Sequence, residues 1–180
     1  MPHISVPEGF PGIRSLVMYR PETGQHLYAL VQELLRGESP LSAAERELIA
    51  GFVSSRNECK FCMMSHTEAA KFLFQDRLIV DKTLEDYQSA PISNKMKALL
   101  KIAGKVQQNG KLVSTQDVEE ARNAGAVDRD IHDTVLIAAT FSLFNRYVDG
   151  LASFTPSDPE EYIAMGKRMG EKGYVMPTKL

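Results

Sequence analysis

The sequence predicts an all-α fold, a bundle of six to eight helices. Three observations carry that prediction. Apolar residues recur at three- and four-residue spacing along most of the chain, which places them on one side of a helix. No stretch alternates apolar and polar residues with period two for long enough to build a sheet. Start residues (Ser, Asp) and stop residues (Gly, Asn) bracket the periodic segments.

In chain order, Pro2, Pro7, Pro11 and Gly12 predict an irregular N-terminal arm over residues 1–22. No repeat, low-complexity run or shift in composition divides the remainder, so residues 23–180 are expected to form one helical domain with its core at about 41–151. From Thr23 to about Gly37, Leu27, Leu30, Val31, Leu34 and Leu35 make the buried side of a first helix. Ser42-Ala-Ala-Glu45 is a capping-box pattern that opens a second helix, with Leu48, Ile49, Phe52 and Val53 inward and an end near Asn57. A third helix is expected from about Cys59 to Phe74. Asp76, Asp81 and Asp86 are read as a connection leading to Pro91 and Ser93. There a long helix starts, buries Met96, Leu99, Leu100, Ile102, Ala103 and Val106, and stops at Asn109-Gly110. Ser114 or Thr115 caps a short helix closed by Gly125. Asp128 opens the most apolar stretch, Ile131 to Tyr147, expected as a central helix apolar on most faces. After the Pro156-Ser-Asp-Pro159 break, a short helix runs from Glu160 to about Met169.

Composition narrows the function classes. A chain of 180 residues with 43% hydrophobic and 24% charged content suffices for one well-buried domain. The net charge of −2, a pI near 6.1 and the lack of any basic run remove the electrostatic footprint of a nucleic-acid binder. No segment is long and apolar enough to span a bilayer, and the N-terminus lacks the charged start and apolar core of a signal peptide. A cytoplasmic location is the expectation, where a paired CxxC is metal-binding or redox-active more often than structural.

The only two cysteines, Cys59 and Cys62, lie in the run Cys-Lys-Phe-Cys-Met-Met-Ser-His, with Glu47 twelve residues upstream of the first. Two thiols three positions apart can close an intramolecular disulfide, and His66, four positions after Cys62, shares its helical face. The pattern suits a dithiol redox centre with its own proton carrier. Two thiolates and an imidazole also suit three ligands of a zinc site with Glu47 or water as the fourth, although no second pair completes a closed structural site. Met63 and Met64 are candidates for lining an apolar channel, and more readily for packing. His132 reads as a surface residue at the start of the central helix, Arg146 and Asp149 as a pair fixing a helix end or subunit contact, and His3 and His26 have no evident partners.

Glu47-x11-Cys59-x2-Cys62-x3-His66, followed by an apolar helix ending Phe144-Asn145-Arg146-Tyr147-Val148-Asp149-Gly150, resembles the alkylhydroperoxidase AhpD-like, peroxidase-related members of the carboxymuconolactone decarboxylase superfamily. The similarity spans about Leu41 to Leu151. It implies an AhpD-like helical fold assembled as a homo-oligomer, a trimer or hexamer. It also implies reduction of organic or hydrogen peroxide by the CxxC pair, with re-reduction by a lipoyl-type or other thiol donor and no cofactor. It makes Cys62 the peroxidatic thiol, Cys59 its resolving partner, and Glu47 and His66 members of a proton relay. The family's type enzyme carries a histidine just before the second cysteine, where this chain has Phe61, so any base must be Glu47, His66 or a bridging water. Two alternatives stay open: a redox-sensing CxxC protein without rapid turnover, and a metal-binding lyase or hydrolase using Cys59, Cys62 and His66.

Overall fold

A computed structural model describes residues 1–177. Among them there are nine α-helices and no strand. The helices are α1 (Ile13–Tyr19), α2 (Pro21–Arg36), α3 (Ala43–Arg56), α4 (Lys60–Phe74), α5 (Arg77–Asp86), α6 (Asn94–Gln108), α7 (Thr115–Asn123), α8 (Asp128–Gly150) and α9 (Pro159–Lys172). A single 3-10 turn, Gly110–Leu112, joins α6 to α7.

The count exceeds the expected six to eight because two short helices carry weak signals. α1 follows Pro11-Gly12 and has no side-chain cap, so it reads as part of an irregular arm, yet it buries Ser15, Leu16 and Val17. α5 was hidden by its aspartates. Asp76 is its N-cap and accepts from the Leu78 and Ile79 amides at 2.9 and 3.3 Å, while Val80 and Thr83 face inward. The other expected starts are where the capping chemistry puts them. Ser42 and Glu45 form the reciprocal capping box of α3, Ser93 caps α6, and Ser114 caps α7. α2 turns Leu30 outward, and α8 leaves Ala139, Leu143 and Arg146 exposed at helical spacing, so neither helix is as fully covered as its composition suggests.

α4 lies between α3 and α9, and α8 packs on the far side of α3 together with α6. Both contacts on α4 are close because glycines stand at them. A Cβ on Gly51 of α3 would come within 2.8 Å of Thr67 Cγ2, and one on Gly166 of α9 within 2.5 Å of the Glu68 carbonyl carbon. The main core, with Leu48, Ile49, Leu99, Ile102, Ile137 and Phe141 at its centre, is built chiefly by α2, α3, α6 and α8. A second apolar cluster gathers Leu16, Cys59, Phe61, Cys62, Val148, Tyr162 and Met165. The two thiols therefore sit in their own apolar environment, formed by α1, the start of α4, the end of α8 and α9.

Candidate functional site

The α3–α4 connection decides where the cysteines point. α3 ends in a Schellman arrangement, with the Glu58 amide donating to the Ser55 carbonyl and the Cys59 amide to the Ser54 carbonyl, at 3.0 and 3.1 Å. Glu58 takes the left-handed conformation, φ 59°, in the position where glycine is usual. The chain reverses in two residues, and Cys59 becomes the N-cap of α4. Cys62 then falls in the first turn of α4, where no side chain caps the free amides and the helix dipole favours negative charge.

Both thiols are free and buried. A hydrogen bond with Cys59, burial and the charge of an ionised Cys59 push the Cys62 thiol well above its usual range, against the pull of a hydrogen bond from the Asn145 amide. Asn145 is itself held rigidly: its Nδ2 donates to Ser54 Oγ at 3.0 Å, and its Oδ1 accepts from Asn57 Nδ2 at 2.8 Å. Resting Cys62 thus keeps its proton, and a base must take it before the sulfur can act as a nucleophile.

Glu47 and His66 are in direct contact. Glu47 is fully buried on α3, and its Oε2 lies 2.7 Å from His66 Nδ1. Its Oε1 accepts from Arg36 at 2.6 Å and from the Tyr174 hydroxyl at 2.5 Å. Burial alone would raise the Glu47 carboxyl; the His66 charge and hydrogen bond, Arg36 and the Tyr174 hydroxyl outweigh it and hold the group below the usual carboxylate range. An ionised Glu47 only accepts, so His66 Nδ1 donates to it, and in the neutral form of the ring Nε2 is the nitrogen able to take a proton. Tyr174 is pushed well above its ordinary value, by burial first and by the Glu47 charge next, and so remains a donor. The His66 ring is also clamped edge-on by Phe141, with ring centres 4.5 Å apart.

Cys62 and His66 line one cavity of about 40 Å³ together with Phe61, Phe141, Phe144, Met165 and Tyr174. That volume exceeds the roughly 10–15 Å³ one water needs, so it admits a water or the two-oxygen end of a peroxide. Cys59 is not among the lining residues and sits behind Cys62 at 0% exposure. Phe61, in the position of the missing histidine, packs on the backbone of Gly12 and against the Tyr162 ring, 6.3 Å between centres.

All four residues singled out from sequence fall in this region: Cys62 and His66 share the cavity, Glu47 backs His66, and Cys59 backs Cys62. Sequence reasoning missed Tyr174 and Arg36, which join the network from opposite ends of the chain, and assigned no role to Asn145. Met63 and Met64 are half-buried but do not line the cavity; Met165 and Met169 of α9 do. His132 is exposed and bonded to Asp133 at 2.9 Å. Arg146 is exposed and donates to the Ser142 carbonyl rather than pairing with Asp149. Among the described residues no group of three or more His, Cys, Asp or Glu side chains is placed to hold a metal ion. Nor is any helix long and apolar enough to cross a membrane.

The carboxymuconolactone decarboxylase family model matches residues 21–72, the stretch from α2 through α4 that contains Glu47, both cysteines and His66. Comparison with curated proteins gives no match. Among solved structures, the chain is similar to an uncharacterised peroxidase-related protein of Ralstonia eutropha, described as an alkylhydroperoxidase AhpD core. The two share 27% identity at a TM-score of 0.78 over 89% of this chain and 83% of that one. A peroxidase-related protein from a Silicibacter species gives 29% identity and a TM-score of 0.78 over 87% and 80%. A putative antioxidant defence protein AhpD of Agrobacterium tumefaciens, at 18% identity and a TM-score of 0.72 over 88% and 100%, matches in fold.

Proposed function

The chain belongs to the AhpD-like branch of the carboxymuconolactone decarboxylase superfamily, and from that premise we propose that it is a thiol-dependent peroxidase in which Cys62 is the peroxidatic and Cys59 the resolving thiol. The observation that carries the reading is the shared cavity: Cys62 opens onto the same small chamber as His66, whose other nitrogen is anchored by the Glu47 carboxylate.

In this reading His66 Nε2 takes the Cys62 proton, directly or through a water in the cavity. The thiolate attacks the terminal oxygen of the hydroperoxide. An S–O bond forms as the O–O bond breaks, and the leaving alkoxide takes the proton from the imidazolium to depart as an alcohol. Cys62 is then a sulfenic acid, which Cys59 attacks, releasing water and closing the disulfide. An external dithiol, of lipoyl or similar type, returns both thiols by exchange and leaves as its own disulfide. Glu47 keeps the imidazole in the tautomer with Nε2 free and stabilises it once charged, while Tyr174 and Arg36 stabilise Glu47. Assembly into a homo-oligomer belongs to the same proposal, supported by the exposed Leu143 on α8 and by Phe154 beyond its end.

Titration of the reduced protein with cumene hydroperoxide, followed by dihydrolipoamide-dependent turnover, tests it. Loss of two thiols per chain with sustained turnover that Cys62→Ser abolishes is the expected result. Oxidation of both thiols without turnover would instead favour a redox sensor.

A further inference from the structure

Two guanidiniums reach the wall of the cavity. Arg14 of α1 and Arg168 of α9 both line the chamber that holds Cys62 and His66, and both line the open groove outside it. Among the described residues neither forms an ion pair, although surface arginines such as Arg77, Arg122 and Arg129 all do. Arg14 contacts the Phe10 ring, with 5.4 Å from guanidinium to ring centre. Glu8 lines the outer groove but lies beyond ion-pairing distance of either arginine, and Lys172 adds a further positive group there. Tyr28, buried on α2, shares the chamber and feels both guanidinium charges, yet burial pushes its hydroxyl up to about 12, so it remains a neutral donor.

Two guanidinium charges that repel each other at a largely apolar wall are costly unless an anion sits near them. Burial and the charge of Arg168 draw Arg14 downward, but a guanidinium stays charged throughout the physiological range. Most of the remaining wall is apolar, with Ile13, Val31, Phe61, Phe141 and Phe144, and in the groove outside Phe10, Val175 and Met176 offer an apolar surface to a compact hydrocarbon. A ligand that meets this surface has its peroxide group in the chamber at Cys62, and its small hydrocarbon body and carboxylate in the open groove that Arg14 and Arg168 also line.

We propose that Arg14, Arg168 and Tyr28 form an anion subsite, which makes carboxylate-bearing organic hydroperoxides the preferred substrate class. The inference rests on the peroxidase reading for its chemistry but not for its binding. The reaction is unchanged: the Cys62 thiolate takes the terminal oxygen, the O–O bond breaks, and the carboxylated alcohol departs. The arginines fix the far end of the molecule and reorient nothing at the sulfur.

The test uses a pair of ligands that differ by one carboxylate group. Binding of 4-(2-hydroxypropan-2-yl)benzoate and of neutral 2-phenyl-2-propanol to the reduced protein is measured by calorimetry, and thiol loss is timed with the corresponding hydroperoxides. The carboxylate should bind about tenfold more tightly, the scale of one or two hydrogen bonds to a charged group. The preference should shrink with added salt, disappear in Arg14→Gln and Arg168→Gln, and survive in part in Arg168→Lys. Equal binding of the two ligands, or a preference that persists in both glutamine variants, would overturn the subsite. Should Arg14→Gln fail to fold, half-exposed Arg168 still carries the comparison. Selective binding of the carboxylate without thiol oxidation by either hydroperoxide would leave the subsite standing and remove the peroxidase reading.

Discussion

The phenol of Tyr174 donates to Glu47 Oε1 at 2.5 Å across 127 residues of sequence, and its ring stacks on His66 at 6.0 Å with an interplanar angle of 12°. The approach is fixed from behind. The Tyr174 amide donates to Gln32 Oε1 at 2.7 Å, Arg36 lies 5.2 Å over the ring centre, and Gly173 turns the chain at φ 66° beside Gln32. The segment after α9 therefore closes the network around Glu47, which has no solvent exposure.

Tyr174→Phe deletes one donor and keeps the ring. Glu47 loses its shortest hydrogen bond, so His66 is less firmly held, and peroxide-driven thiol oxidation should slow about five- to tenfold with a stability loss of about 1–2 kcal/mol. Stopped-flow thiol loss and urea unfolding measure the two effects. An unchanged rate at unchanged stability would make Tyr174 a bystander.

Glu47→Gln replaces a buried carboxylate that accepts from Arg36, His66 and Tyr174, leaving the half-buried Arg36 without its counter-charge. A loss of about 3 kcal/mol is expected from breaking a buried ion pair. The pH dependence follows from the direction of the shift. The folded carboxyl lies below its unfolded value of about 4.3, so its contribution is fully present above that pH and is lost as pH falls through the folded value. Wild-type stability should fall below about pH 5 more steeply than that of Glu47→Gln. Parallel acid-unfolding curves would contradict the assignment.

The helices that were legible in sequence announced themselves by capping chemistry joined to an apolar stripe: Ser42 with Glu45, Ser93 before Met96, and Ser114 or Thr115 before Val118. α5 was missed because Asp76 reads equally well as a loop residue and as an N-cap, and ten residues offer too few apolar positions to decide. At the site, Glu47, Cys59, Cys62 and His66 were visible because they lie within two consecutive helices at short spacing. Arg36 and Tyr174 were not, because nothing local marks a residue whose partner lies far off along the chain, and Asn145 was seen as part of a motif but without a role for the same reason. Phe61 was legible as a departure, but the reason it fits, an uncluttered backbone at Gly12, depends on the packing of α1 against α4.

Gly166→Ala tests the close approach of α9 to α4. Alanine favours an isolated helix by about 1 kcal/mol, yet here its Cβ meets backbone atoms of Glu68 and Ala69 at 2.5 and 2.7 Å, which cannot rotate away. Thermal unfolding should show a net loss of about 1–3 kcal/mol, the range for overpacking. A gain in stability would mean that the helices separate freely.

Asn145→Ala removes the amide that favours an ionised Cys62 and strands Asn57 and Ser54. The Cys62 thiol should titrate higher still, and thiol alkylation by iodoacetamide at pH 7 should slow several-fold. Equal alkylation rates at all pH values would exclude Asn145 from the thiol's environment.

The central claim, that Cys62 receives the peroxide oxygen and Cys59 resolves it, is tested most directly by trapping the intermediate. Cys59→Ser protein is treated with one equivalent of cumene hydroperoxide in the presence of dimedone, and the adduct is located by peptide mass mapping, with Cys62→Ser protein treated alongside. The account predicts one adduct per chain on Cys62 in the first variant and none in the second; an adduct on Cys59 in the second with none on Cys62 in the first would contradict it.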